Sequence, residues 1–229
     1  MSTALTSPSP RVGMDPAIAN LQTVADLLKR LGGIPAHRVR WKPFPGTATE
    51  RDLIAIVDGP ERRLCELVEG TLVEKAVGFF DDRIGIVLLH FLETYLEEND
   101  LGFCVGPQAL MRIVPGRVRL PDVSFIGWTK VPNHQVPTEP IADLVPDLVV
   151  EVLSKGNTSR EMKVKRAEYF QGGVRLIWEI NPKRQSARVY TSPSHVQEIG
   201  PHGSLEGGDV LPGFVLPLKR LFARAQRGV

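Results

Sequence analysis

Apolar positions divide this chain into helix-period and strand-period stretches. Ile18, Leu21, Val24, Leu27, Leu28 and Leu31 recur at helical spacing and stop at Gly32-Gly33, which predicts one amphipathic helix. Pro35 to Pro45 reads as a linker, and Thr49-Glu50-Arg51-Asp52 has the Thr-x-x-acid form that starts a helix, here a short one reaching Val57. Arg63 to Val68 and Thr71 to Lys75 read as strands flanking Glu69-Gly70, a two-residue hairpin turn. From Phe80 to Glu98, Ile84, Val87, Leu88, Phe91, Leu92 and Tyr95 share one face of a core-packed helix.

Beyond Gly102 the pattern turns strand-like over Phe103 to Val105, Ala109 to Val114 and Arg119 to Ile126. Trp128 to Pro146 is proline-rich and predicts a loop, placed where it could cover a site. Asp147 to Leu153 reads as a strand buried on both faces. Thr158-Ser159-Arg160-Glu161 then caps a helix that Gly172-Gly173 ends. Arg175 to Ile180 pairs with Ala187 to Tyr190 across Asn181-Pro182-Lys183-Arg184, and residues 194–222 supply short strands and a final helical turn. The expected class is α+β, a central mixed β-sheet flanked by helices. The expected organisation is a mobile tail over 1–15, an amphipathic helix and linker over 16–44, and one domain over 45–229.

Composition narrows the function classes. At 229 residues the chain is long enough for one well-cored domain. No stretch approaches the roughly 20 apolar residues of a membrane span. The N-terminus lacks the basic and apolar regions of a secretory signal, so a soluble, cytoplasmic protein is expected. Cys65 and Cys104 have neither CxxC spacing nor a histidine cluster near them, which predicts buried free thiols. The net charge of +2 hides an uneven spread. Residues 50–100 carry 13 acidic and 5 basic residues, whereas 151–190 carry 9 basic and 4 acidic. Lys155, Arg160, Lys163, Lys165, Arg166, Lys183 and Arg184 could meet phosphates if they share a face, or form an ordinary solvated surface.

The candidate chemistry starts from Glu151. An ionised carboxylate inside the run Leu148-Val149-Val150-Glu151-Val152-Leu153 requires a cationic partner or a metal. Asp122 opens the preceding apolar run, and an Asp at one strand's start can converge with a Glu near the next strand's end on a hard divalent cation. The five histidines show no ligand spacing.

Five ordered blocks carry a resemblance: Glu66-Leu67-Val68-Glu69-Gly70 with Leu72-Val73, Pro121-Asp122-Val123-Ser124-Phe125, Pro146-Asp147 through Ser154, Lys165 with Tyr169, and Gly173-Val174 with Trp178. Over about residues 45–222 the chain resembles the bacterial "putative restriction endonuclease" family, within the restriction-endonuclease-like superfamily that carries the PD-(D/E)XK signature. The resemblance implies a restriction-endonuclease-like core, with Asp122 and Glu151 as metal-binding carboxylates and Glu66 as a further metal ligand. Leu153 stands where the signature lysine usually follows the second acid, which transfers that role to Lys165 on the next helix. Glu69, Thr71 and Asp82 depart from the family's frequent Asp, acid and His. The implied protein is a Mg²⁺- or Mn²⁺-dependent endonuclease acting on DNA, as a homodimer.

Each residue also has a plainer role. Asp122 could cap a strand entrance, Glu151 could form a structural ion pair with Lys165, Lys165 could bridge to Glu161 or Glu168 on its own helix, and Glu66 could be a hairpin-surface acid. The competing function is a non-catalytic module that binds nucleic acid or protein and keeps the nuclease fold.

Overall fold

The computed structural model describes residues 13–226. Most of the predicted tail lies outside them. The first helical stretch is two helices, α1 (Pro16–Ala19) and α2 (Val24–Arg30). The break is local chemistry: the Asp15 side chain caps α1, and Thr23 with Asp26 forms a complete capping box that restarts the helix as α2. The apolar spacing concealed that second start. The next elements follow the sequence pattern: α3 (Glu50–Val57), strands β1 (Cys65–Val68) and β2 (Thr71–Glu74), and the long α4 (Phe79–Glu98). Glu69 and Gly70 both take positive φ, as a two-residue turn between twisted strands requires.

Then come β3 (Gly102–Val105), β4 (Leu110–Val114), β5 (Arg117–Arg119), β6 (Val123–Gly127), the two-residue β7 (Ile141–Ala142) and β8 (Leu148–Val152). Next are α5 (Ser159–Gly172), β9 (Leu176–Asn181), β10 (Ser186–Tyr190), β11 (Val196–Ile199), β12 (Ser204–Glu206), β13 (Val215–Pro217) and α6 (Leu218–Gln226). The closing helix is thus longer than one turn. Its inner face is Leu218, Leu221, Phe222 and Ala225, all buried.

The class is α+β, as expected, but the strands form two large mixed sheets rather than one central sheet. One runs β2-β1-β5-β4-β7, the other β11-β10-β9-β8-β6-β3, and β12 with β13 makes a small third pair. The predicted strand Arg119 to Ile126 is split between the two: β5 ends in the first sheet and β6 begins in the second. Pro121 lies at the crossing, where its missing N–H cannot extend a ladder. Asp122 is therefore delivered to the place where the chain passes from one sheet to the other.

The second sheet buries alternate residues on opposite sides. Leu148, Val150, Val152, Trp178 and Ile180 pack against Ile84, Leu88 and Leu92 of α4 and against Leu221 and Phe222 of α6. Val149 and Ile177 pack the other way, with Met111 and Ile113 of β4 and Tyr169 of α5. By strand alternation Glu151 shares the side of Val149, facing α5 and the first sheet. The proline-rich loop joins the end of β6 to the start of β8, the opposite end of this antiparallel pair from Asp122 and Glu151, so it does not cover them.

Candidate active site

The helix α5 turns charge inward. Glu161, Lys165 and Glu168 are spaced to share one helical face, and all three are buried. Lys165 Nζ lies 2.7 Å from Glu151 Oε1 of β8 and 3.0 Å from Glu66 Oε1 of β1. It therefore bridges the two sheets. The intrahelical partners that sequence spacing offered are engaged elsewhere: Glu161 with Arg38, and Glu168 with Arg117 and Arg119. A flexible lysine near the helix middle reaches across to buried carboxylates on the two sheets, while guanidinium groups take the flanking acids.

Glu66 is held at both oxygens. Oε2 accepts from Arg119 Nη1 at 2.7 Å, and Oε1 accepts from the Leu120 N–H at 3.2 Å. Burial pushes its carboxyl up, yet Lys165, Arg119, the Leu120 N–H and Lys75 together hold it below the usual carboxylate range. Glu151 goes the other way: burial raises it, Lys165 opposes that, and the carboxylates of Asp122 and Glu66 add to the rise. Tyr169 donates its hydroxyl to Glu151 Oε1, and burial beside that carboxylate raises the phenol. Lys165 is kept protonated: burial works against its charge, but Glu151 and Glu66 outweigh it.

Asp122 is the most accessible of the three predicted acids, with 18% of its side chain exposed against 6% for Glu151 and 1% for Glu66. Its Oδ2 accepts from the Val152 N–H at 2.6 Å, which ties the entrance of β6 to the end of β8. Its Oδ1 lies 2.8 Å from Lys75 Nζ, just past β2. The same ammonium donates to the Leu120 carbonyl at 2.6 Å and draws down the carboxyls of Glu66 and Glu151. On the outer side Asp81 of α4 sits near Asp122; burial and the Asp122 charge raise its carboxyl, and Lys155 opposes this.

Glu66, Asp122, Glu151 and Lys165 thus come together, and three further residues join them that sequence reasoning gave no role: Lys75, Arg119 and Tyr169. Tyr169 was legible at the right spacing after Lys165. Nothing local marks Lys75 or Arg119, each an ordinary cation at a strand end. Of the basic residues singled out in 151–190, Lys165 points into the cluster and Arg166 is engaged by Glu179, while Lys155, Arg160, Lys163, Lys183 and Arg184 are exposed.

As to a metal, no three His, Cys, Asp or Glu side chains among the described residues converge as a ligand cage. Asp122 and Glu151 nevertheless supply neighbouring hard oxygen donors, and Mg²⁺ sites commonly use one or two carboxylates completed by water and substrate phosphate. The donor set fits a two-carboxylate site.

Two large mixed sheets flanked by helices define the class as an α+β fold. The crystal structure of "a putative nuclease belonging to DUF820" from Anabaena variabilis shares it, with a TM-score of 0.62 and 17% identity over 70% of this chain and 90% of that one. The family model Uma2, described as "Putative restriction endonuclease", matches residues 52–219, and the chain belongs to that family. Among curated proteins none matches the chain. The family supports a nuclease function.

Proposed function

We propose that the protein is a metal-dependent endonuclease that hydrolyses DNA phosphodiester bonds. The observation that carries this reading is the juxtaposition of Asp122, just before β6, with Glu151 of β8, and the position of Lys165 Nζ 2.7 Å from Glu151. Asp122 and Glu151 would hold Mg²⁺ or Mn²⁺, which when bound supplies Lewis acidity at the scissile phosphate and lowers the pKa of a coordinated water. Lys165 contributes a fixed positive charge where negative charge develops on phosphate oxygens. Glu66, engaged at both oxygens, anchors Lys165 more than it offers a metal ligand. Tyr169 orients Glu151. DNA is the substrate this reading takes from the family, and a pair of copies would bring one site to each strand of a duplex. Sedimentation velocity of the full chain, alone and with duplex DNA, checks that pairing.

The test is cleavage of single- and double-stranded DNA with Mg²⁺ or Mn²⁺ by the wild type, Asp122→Ala and Glu151→Ala. Cleavage by the wild type that both variants lose supports the assignment. One observation favours a second reading, a binding module without catalysis: each predicted acid already has a lysine or arginine partner within the fold. A folded wild type that binds DNA but cleaves none of these substrates would establish that second reading.

A further inference from the structure

Lys75, which nothing in the sequence pattern marks, is drawn into the acidic cluster. Its side chain is only 6% exposed, and its ammonium lies between the Leu120 carbonyl and Asp122 Oδ1. With the Val152 N–H on Oδ2, both oxygens of the most accessible predicted ligand are in use. The two lysines divide the three acids: Lys165 joins Glu66 to Glu151, and Lys75 holds Asp122. Lys165 and Tyr169 both engage Glu151 through Oε1, whereas at Asp122 the Lys75 ammonium is on one oxygen and the Val152 N–H on the other, so a divalent ion there meets a like charge a few ångströms away.

The local chain suits a side chain that can leave. The Lys75 N–H donates to the Leu64 carbonyl at 2.8 Å, which fixes the backbone at that point. Ala76 to Gly78 then run without regular structure into α4, and the neighbouring Val77 and Phe79 are exposed. The backbone is therefore anchored at Lys75 itself, while the chain just beyond it is irregular and exposed.

We propose that Lys75 is a built-in counter-cation: in the metal-free chain its ammonium stands at Asp122 in place of a divalent ion, and metal binding displaces it toward the mouth of the site. There the released charge faces an incoming phosphate. The inference rests on the metal-site reading above and adds to it a competition between a residue of the chain and the ion.

The experiment titrates the full chain with Mn²⁺ by calorimetry and follows acetylation of Lys75 by mass spectrometry. Lys75→Met is expected to bind Mn²⁺ about tenfold or more tightly than the wild type, as removal of a close like charge predicts. Lys75→Arg, which keeps the charge, is expected to bind no more tightly than the wild type. In the wild type, Mn²⁺ should speed acetylation of Lys75, and in Asp122→Asn it should not. The labelling needs no substitution at Lys75, so it decides the matter even if Lys75→Met fails to fold. The inference is overturned, with the metal site left standing, if Mn²⁺ binds the wild type through Asp122 while Lys75 acetylation stays unchanged. Absence of Mn²⁺ binding in both the wild type and a folded Lys75→Met overturns the inference and the metal site together.

Discussion

Arg119 shows how much one buried side chain can be asked to neutralise. Its guanidinium binds Glu66 through Nη1 and Glu168 through Nε and Nη2, and the residue is only 4% exposed. Removing one member of such a network leaves charge buried without a partner, which costs about 3–5 kcal/mol. Arg119→Met is therefore expected to lose about that much stability in urea unfolding, and Arg119→Lys to recover only part of it, since an ammonium cannot reproduce the fork. Glu69 allows a pH test outside the proposed metal ligands. Burial raises its carboxyl, but Arg30 and Arg117 hold it below its ordinary value of 4.5. The unfolded chain then takes up protons first on acidification. The stability Glu69 contributes is complete above about pH 4.5 and is lost as pH falls through the lowered folded value. Urea unfolding below pH 4.5 should show a shallower acid loss in Glu69→Gln than in the wild type. Glu66, also lowered, continues to drive the remaining loss.

At the scale of elements, the ends of α2 and α5 lock together through backbone as well as charge. The Thr158 hydroxyl closes the capping box with Glu161 and donates to the Gly32 carbonyl at 2.7 Å. Arg38 binds the Glu161 carboxylate and the carbonyls of Glu74 and Gly156, joining the N-terminal segment to α5 and to the end of β2. Gly32 takes φ +90°, and a Cβ there would sit 2.6 Å from the Glu161 Cα. Gly32→Ala meets strain and a backbone collision together, so a loss of about 1–3 kcal/mol in chemical denaturation is expected. Thr158→Ala should cost about 1 kcal/mol for the cap alone, and more if the Gly32 bond contributes. The capping boxes at Thr49 and Thr158 were readable in sequence because the whole signal lies within four residues. The break between α1 and α2 was not read, because apolar spacing continues across it while the Thr23 cap restarts the helix.

For the molecule as a whole, the proposed site is a seam. Glu66 and Arg119 come from one sheet, Glu151 from the other, Asp122 from the crossing between them, and Lys165 from α5. On the proposed reading a divalent ion held there would tie the second sheet's entrance to its neighbours, so Mn²⁺ should raise the thermal midpoint of the wild type and leave that of Asp122→Asn unchanged. Differential scanning calorimetry with and without Mn²⁺ is the check, and an equal rise in both proteins would place the stabilising ion elsewhere. Among the described residues no helix is long and apolar enough to cross a membrane. The sequence by itself determined the element types, the hairpin at Glu69-Gly70, the doubly buried strand around Glu151 and the family, because periodicity, caps and ordered motifs are local or linear signals. It also marked Asp122, Glu151, Lys165 and Glu66 for attention. Only the tertiary structure decided that two sheets share the work and which cation faces which acid. Those pairings join residues as far apart as Glu66 and Arg119, or Arg38 and Glu161, and a buried charge selects its partner by distance in space, to which spacing along the chain is blind.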